Sequence, residues 1–367
     1  MIICKTTYVQ GIHFEILSDE GRNLEYDVEF IDILTNSVVY STKLKKGMWA
    51  KLDIKFLADI EIRLSRNGKI QRVINVKDIF EGRRVFIVFE SKSLGDTLAW
   101  MPYCEEFRVK YKCDVIVSTF MNDLFEKSYP SIQFVPRGEV VENLHGMFEL
   151  GWFYDKKKEP VSPVMIPLQA AATNILGLEF KEVLPNLDFT PDKRPIEGKY
   201  VCISTRSTAQ LKEWYYWQEL VDWLLSNGYK VVEISKESVQ LNGLTEMQDK
   251  SLKSAMNYIH HSDFFIGLSS GLSWLSWALR KQVFMISNFS LDDHEFTTNC
   301  IRITNKSVCF GCWNNPAFRF DKSRWDYCPE HEETPRAFEC HKSITANDVI
   351  EKINGYLNPS EAKPNIF

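Results

Sequence analysis

A chain of 367 residues whose 44 basic and 49 acidic side chains leave a net charge of −5 is a poor sequence-independent nucleic-acid binder, because that role needs a broad basic face. No stretch of 18 or more apolar residues occurs, and Met1 to Gln10 has no apolar run of signal-peptide length, so a cytoplasmic protein without a membrane span is expected. In that reducing compartment the nine cysteines read as metal ligands and buried thiols and not as disulfides.

Residues 1–80 have a texture of their own. Thr7 to Leu17, Tyr26 to Ile33, Ser37 to Leu44, Trp49 to Phe56 and Glu61 to Arg66 are alternating runs rich in β-branched and aromatic residues. Asp-Glu-Gly, Thr-Asn, Lys-Gly and Arg-Asn-Gly turns break them. The spacing predicts a small antiparallel sandwich or barrel, with a binding or assembly role and no catalytic group.

At Arg84 the pattern changes. Val85 to Phe89 is continuously apolar, as a strand buried on both faces of a parallel sheet must be. A loop from Glu90 to Gly95 leads to a helix starting near Asp96. Asp114 to Ser118, Ile132 to Pro136 and Met147 to Leu150 are the following strands, and Leu168 to Leu176 is a helix stopped by Gly177. Prolines 185, 191 and 195 mark a linker near 185–198. A second series follows: strands at Tyr200–Ser204, Lys230–Ser235, Phe264–Leu268 and Gln282–Ile286, with helices at Trp214–Asn227, Lys250–His260 and Ser273–Leu279. Such βα alternation predicts two doubly wound α/β domains, 81–190 and 191–367, facing a cleft, with ligands beyond the carboxyl ends of the strands.

Three loops at those ends carry the chemistry. The first is Ser93-Leu94-Gly95-Asp96-Thr97-Leu98-Ala99-Trp100-Met101-Pro102, where Asp96 is either a helix cap or a general base. Ser204 to Thr208, including Thr205, is followed by Leu211-Lys212-Glu213-Trp214. Hydroxyls, amides and a cation together suit a departing diphosphate. In Gly267 to Trp274, Ser269, Ser270, Gly271, Leu272 and Ser273 open a helix whose free amides can hold an anion. Neither a Gly-Lys-Ser/Thr ending nor a G-x-G-x-x-G spacing is present. His260-His261 reads as a helix end, and Asp292-Asp293-His294-Glu295 as a polar loop near the third site, within reach of a sugar.

Cys309 and Cys312 are separated by two residues, and Cys328 and Cys340 follow at longer intervals. Two thiolates at that spacing can grip one tetrahedral ion while a distant pair closes the cage, with His331 and His341 as nearby substitutes; the second pair lacks the two-residue spacing, and four unrelated core or surface thiols are the alternative. The segment between them has neither helical nor strand period, so a metal is a source of its order. Tetrahedral S₄ suits iron and zinc alike.

The stretch with Ser93, Gly95, Asp96 and Pro102 resembles the S-x-G-D-x-x-x-x-x-P motif of lipopolysaccharide ADP-heptose transferases. Lys212-Glu213-Trp214 is similar to their Lys-x-Trp segment, and Ser269 to Trp274 to their D-T-G-L-S-H, with Ser in place of Asp and Thr and Trp in place of His. The run from Ser93 to Tyr103 and the four-cysteine segment resemble one branch, the bacterial autotransporter O-heptosyltransferases. The resemblance implies a GT-B-type pair of Rossmann-like domains, preceded by a small antiparallel β domain and carrying a four-Cys metal finger at about 305–342. It also implies an inverting transferase that moves heptose from ADP-heptose to Ser hydroxyls of an autotransporter adhesin. Asp96 would be the catalytic base, and Thr205, Lys212 and Ser269 to Ser273 would hold the donor. Cys309, Cys312, Cys328 and Cys340 would bind one iron ion per chain, with zinc the alternative and no organic cofactor, and the chain would assemble into a large homo-oligomer. A glycan or lipopolysaccharide acceptor, or an inactive metal-stabilised binding protein, are the competing readings.

Overall fold

The computed structural model describes residues 2–237, 239–318 and 327–359, so part of the cysteine segment, 319–326, lies outside the described residues. The chain divides into two compact units, Met1–Lys92 with Ala99–Asp188, and Ser93–Leu98 with Phe189–Phe367.

The first unit begins with seven strands: β1 (Ile3–Thr7), β2 (Ile12–Ser18), β3 (Tyr26–Asp32), β4 (Ser37–Leu44), β5 (Trp49–Leu52), β6 (Ile60–Arg66) and β7 (Lys69–Asn75). They pair antiparallel in two sheets, β1-β2-β5 and β4-β3-β6-β7. The two-residue period places Ile12, Phe14 and Ile16, and likewise Val28, Phe30, Ile62 and Leu64, on buried faces. Two strands depart from the sequence expectation. The run Thr7 to Leu17 is broken at Gln10 and Gly11, both with positive φ, which separates β1 from β2. At Gly11 a Cβ would lie 2.6 Å from the Leu52 carbonyl oxygen, so the bend admits no side chain. β7 is an exposed edge strand, and its apolar residues cover nothing that would mark them in sequence.

The same unit continues with β8 (Arg84–Phe89), α1 (Leu94–Tyr111) from Ala99 onward, its start through Leu98 belonging to the second unit, β9 (Asp114–Ser118), β10 (Gln133–Phe134), β11 (Gly146–Leu150) and α2 (Leu168–Leu176). The strands form a parallel sheet in the order β10-β9-β8-β11. Gly177 takes the left-handed conformation and its amide bonds back to the Thr173 carbonyl, which stops α2 where the sequence predicts. Tyr8 fastens the β-rich part to this sheet: its amide donates to the His145 carbonyl at 2.6 Å and its carbonyl accepts from Met147 at 2.8 Å.

The second unit holds β12 (Tyr200–Ser204), α3 (Trp217–Ser226), β13 (Lys230–Glu233), β14 (Leu244–Thr245), α4 (Leu252–His261), β15 (Phe265–Leu268), α5 (Gly271–Ala278), β16 (Val283–Ile286), β17 (Cys300–Ile303), α6 (Glu339–Lys342) and α7 (Ala346–Leu357). All six strands run parallel in the order β14-β13-β12-β15-β16-β17. Numbered from β12, that is the 3-2-1-4-5-6 order of a doubly wound Rossmann sheet, and its switch point falls between β12 and β15. The core on one face joins Val201, Ile203, Ile266 and Phe284 to Trp217, Leu220 and Leu224 of α3 and to Val349 and Ile353 of α7. A capping box opens α7, with the Thr345 hydroxyl accepting from the Asp348 amide and the Asp348 carboxylate accepting from the Thr345 amide. Such a box contributes about 1 kcal/mol.

Candidate functional site

At the switch point of the second unit, the turns after β12 and β15 leave the sheet side by side. Lys212 sits in a 3₁₀ turn, Gln210–Lys212. Trp214, two residues on, is buried against Trp217 and donates its indole N–H to the Ile344 carbonyl at 2.6 Å. With that anchor the half-buried Lys212 side chain reaches the Ser269 carbonyl, Nζ to O 2.9 Å, and lies 4.9 Å from the centre of the Phe289 ring. Burial lowers the ammonium's pKa, while Glu295 and Asp96 oppose that shift.

Asp96 is buried in the first turn of α1, and its amide donates to the Ser93 hydroxyl oxygen at 3.4 Å. Two glycines allow this turn to meet the start of α5. A Cβ on Gly271 would lie 3.1 Å from Leu94 Cβ and 3.2 Å from the Gly95 nitrogen, and one on Gly95 would lie 3.2 Å from Trp274 Cδ1. The acid and the lysine therefore belong to one electrostatic neighbourhood.

The serines after β15 are placed differently from one another. The Ser273 hydroxyl donates to the Leu268 carbonyl at 2.5 Å, and the Ser273 and Trp274 amides both turn back to the Ser270 carbonyl. Among the described residues the Gly271 and Leu272 amides remain the open pair at the helix start. The Ser270 hydroxyl is buried without a hydrogen-bond partner among the described residues. Ser269 donates its hydroxyl to Glu295. The polar loop Asp292 to Glu295 thus supplies a structural acid: Glu295 also meets the Ser290 hydroxyl at 3.0 Å and pairs with Arg302 at 2.6 Å. Burial raises the Glu295 carboxyl, but Arg302 and His294 outweigh it and hold the pKa at about 2.

On the β12 side, the Thr205 amide donates to Glu233 Oε1 at 3.3 Å, and the Ser235 amide at 3.0 Å. Glu233 Oε2 is buried with no partner among the described residues, and burial pushes the carboxyl's pKa up. Sequence reading missed this acid. The available signal was an acidic residue at the carboxyl end of the second strand, where Rossmann units hold a ribose. His260 and His261 close α4, with His261 on the Asp192 carbonyl at 2.8 Å and His260 against the Phe189 ring.

The four cysteines belong to the second unit, and Cys309, Cys312 and Cys340 lie within electrostatic reach of one another. Burial and then the charges of Cys309 and Cys328 push the Cys312 thiol up to about 12. Cys340 is raised first by burial and next by Cys309 and Cys312. Cys309 is raised by burial, by Glu330 and Glu339, and by Cys328. Cys328 and Cys340 are buried and Cys309 and Cys312 half-buried. Thiolates are donors that a soft cation selects, but the predicted set of four cysteines does not appear as a compact ligand group among the described residues. Among the described residues, the ligand atoms of Cys309, His331 and Glu339 all lie within 4.8 Å of one another. The His331 ring stands 3.5 Å from Glu339, which Arg336 grips through two nitrogens.

A Rossmann sheet with a cation, a helix start and a buried acid at its switch point defines a nucleotide-binding α/β protein. No protein-family model matches the sequence. Aah of Escherichia coli, an autotransporter heptosyltransferase, is 32% identical over 354 residues, which cover 91% of this chain and 90% of Aah. The crystal structure of TibC, an iron-containing dodecameric glycosyltransferase of enterotoxigenic E. coli, matches with a TM-score of 0.84 at 31% identity, across 97% of this chain and 96% of TibC. TibC has also been crystallised with ADP-D-β-D-heptose. BimC of Burkholderia thailandensis, named an inactive autotransporter heptosyltransferase, is 28% identical and covers 94% of this chain and 85% of BimC. The chain belongs to the autotransporter heptosyltransferase family. Among the described residues no helix is long and apolar enough to cross a membrane.

Proposed function

We propose that this protein is an inverting glycosyltransferase that moves heptose from ADP-heptose to Ser hydroxyls of an autotransporter adhesin. The observation that carries the reading is Lys212, half-buried at the switch point, fixed to the Ser269 carbonyl and within electrostatic reach of Asp96. The ammonium and the Gly271 and Leu272 amides receive the diphosphate. The unpartnered Glu233 oxygen accepts from the ribose hydroxyls. Asp96, as carboxylate, takes the proton of the acceptor Ser while its oxygen attacks the anomeric carbon. The bond from that carbon to the diphosphate oxygen breaks, and ADP leaves with the electron pair, its charge met by Lys212. One attack with no covalent sugar–enzyme intermediate inverts the anomeric centre.

Cys309, Cys312, Cys328 and Cys340 would hold one iron ion as a four-thiolate finger, in keeping with the iron-containing TibC. Four thiolates leave no open coordination position, so the metal's contribution is order in the cysteine segment. A large homo-oligomer, as in dodecameric TibC, and a cytoplasmic location complete the reading. Coexpression with an adhesin fragment, read by intact mass, tests it: heptose increments on serines are expected. ADP-heptose binding with no transfer to protein, glycan or water would instead place the chain beside inactive BimC.

A further inference from the structure

Four consecutive residues after β16, Ser287 to Ser290, touch the proposed donor site on one side and the cysteine segment on the other. Toward the donor site, the Phe289 ring lies 4.9 Å from Lys212 Nζ. The Ser290 hydroxyl sits 3.0 Å from each Glu295 oxygen and 2.8 Å from Arg302, and Ser287 accepts from Arg302 at 3.2 Å. Toward the cysteines, the Asn288 side chain donates to the Cys340 carbonyl at 3.1 Å, while its backbone carbonyl accepts from Gly311 at 2.8 Å. The Phe289 carbonyl accepts from the Trp313 amide at 2.9 Å and lies 3.9 Å from Cys312 Sγ, with the Phe289 and Trp313 rings 5.4 Å apart. All four residues are buried, so no slack solvent-exposed chain separates the two sides.

We infer that Ser287–Ser290 is a positioning strap through which the cysteine cluster sets the orientation of Lys212, and with it the affinity for a nucleoside diphosphate. The inference rests on the donor-site reading above. It adds that the cysteine segment acts on binding through particular contacts and not through global stability alone. Phe289 faces the ammonium with its ring, and a desolvated cation–π contact of this kind fixes both the distance and the direction of a flexible lysine. Asn288 ties that ring's backbone to the residue whose thiol closes the cluster. The strap residues are positioning residues, since none is required to touch the donor.

The test is ADP binding by titration calorimetry, with metal content by elemental analysis and far-ultraviolet circular dichroism on the same samples. Phe289→Leu should keep the metal and the spectrum but bind ADP about tenfold more weakly. Its kcat/KM for ADP-heptose should fall by a similar factor or more, since the same lysine meets the departing ADP. Phe289→Tyr, which keeps a ring face, should restore binding. Asn288→Ala, which cuts the tie to Cys340 without removing a thiol, should weaken ADP with the metal retained. Wild-type ADP affinity in both Phe289→Leu and Asn288→Ala would overturn the strap. So would chelated wild-type protein that keeps its spectrum and its ADP affinity. A wild-type protein that binds no ADP at all overturns the donor-site reading and the strap with it.

Discussion

The Lys212 ammonium donates to the Ser269 carbonyl at 2.9 Å, and that same Ser269 gives its hydroxyl to Glu295, which Arg302 holds from behind. A cation in the turn after β12 is thereby tied to the turn after β15, across the switch point of the sheet. The tie orients the lysine before any ligand arrives, and preorganised charge at a departing diphosphate is the effective kind.

Replacing Lys212 by Met should lower kcat/KM for the donor by about 10²–10³-fold, the usual cost of one preorganised charge at a leaving group. Lys212→Arg should recover part of this at most, because a planar fork cannot occupy the place of a compact ammonium between the Ser269 carbonyl and the Phe289 ring. Steady-state kinetics against ADP-heptose checks both. Equal rates for Met and wild type would remove Lys212 from the reaction.

Asp96→Asn is expected to leave ADP affinity within a few-fold of wild type while kcat falls by about 10²–10⁴-fold, the range of a lost general base. The near-isosteric amide keeps the helix start intact, so folding is not at issue. Single-turnover transfer, measured beside ADP titrations, separates the two effects. A parallel loss of binding and rate would mean that Asp96 shapes the pocket and does not move the proton.

At Gly271 the backbone of α5 meets the backbone at Gly95, where a Cβ would lie 3.2 Å from the Gly95 nitrogen. Gly271→Ala should therefore push Asp96 away from Lys212 by a fraction of an ångström. Misplacement of this order costs roughly 10²-fold in rate when reacting groups must align. The melting temperature should fall little, because the glycine's own φ is not in the left-handed region. Activity near wild type would show that the two turns can separate without harm.

Much of this architecture was legible in sequence, for a physical reason. Strands such as Asp114–Ser118 and Tyr200–Ser204 are buried on both faces and read as apolar runs, and α2 ends on a glycine that no other residue replaces easily. The elements that sequence did not show have separate causes. β7 is exposed, and β14 is two residues long. The α7 helix carries its own signal, Thr345 and Asp348 at its start, with Ala346, Val349 and Ile353 as its buried positions. At the site, Glu295 stood in the sequence as a polar loop residue, because its partners Ser269 and Arg302 are fixed by the sheet and not by local spacing. Glu233 escaped notice because it closes a strand whose other residues are apolar.

Glu159 gives the first unit an uncommon pH dependence. It is 2% exposed, and burial, opposed only by the Phe153 backbone, pushes its pKa to about 8. The folded state thus keeps a proton that the unfolded state releases near 4.5. Stability from this group is fully present below that value and declines as pH rises through 8, by about 1.4 kcal/mol per unit within the window. Glu159→Gln should flatten that slope and leave the protein more stable than wild type at pH 8. Urea titrations at pH 5, 6.5 and 8 measure it, and an unchanged slope would refute the assignment.

The Glu295–Arg302 pair should show the opposite sign. Its carboxyl is held at about 2 against an ordinary 4.5, so its stabilisation is present above the ordinary value and is lost as pH falls toward 2. The Glu295 side chain is 5% exposed and that of Arg302 10%, and removing one partner strands the other as a buried charge. Glu295→Gln is therefore expected to cost about 3–5 kcal/mol at neutral pH. Glu295→Gln combined with Arg302→Met should recover part of that loss, since the stranded guanidinium is gone, while donor binding stays impaired because Ser269 and Lys212 have lost their backing. Denaturant unfolding of the single and double variants at pH 7 and pH 3 gives the coupling. If the double variant is no more stable than Glu295→Gln at pH 7, the charge pairing is not what holds this corner of the second unit.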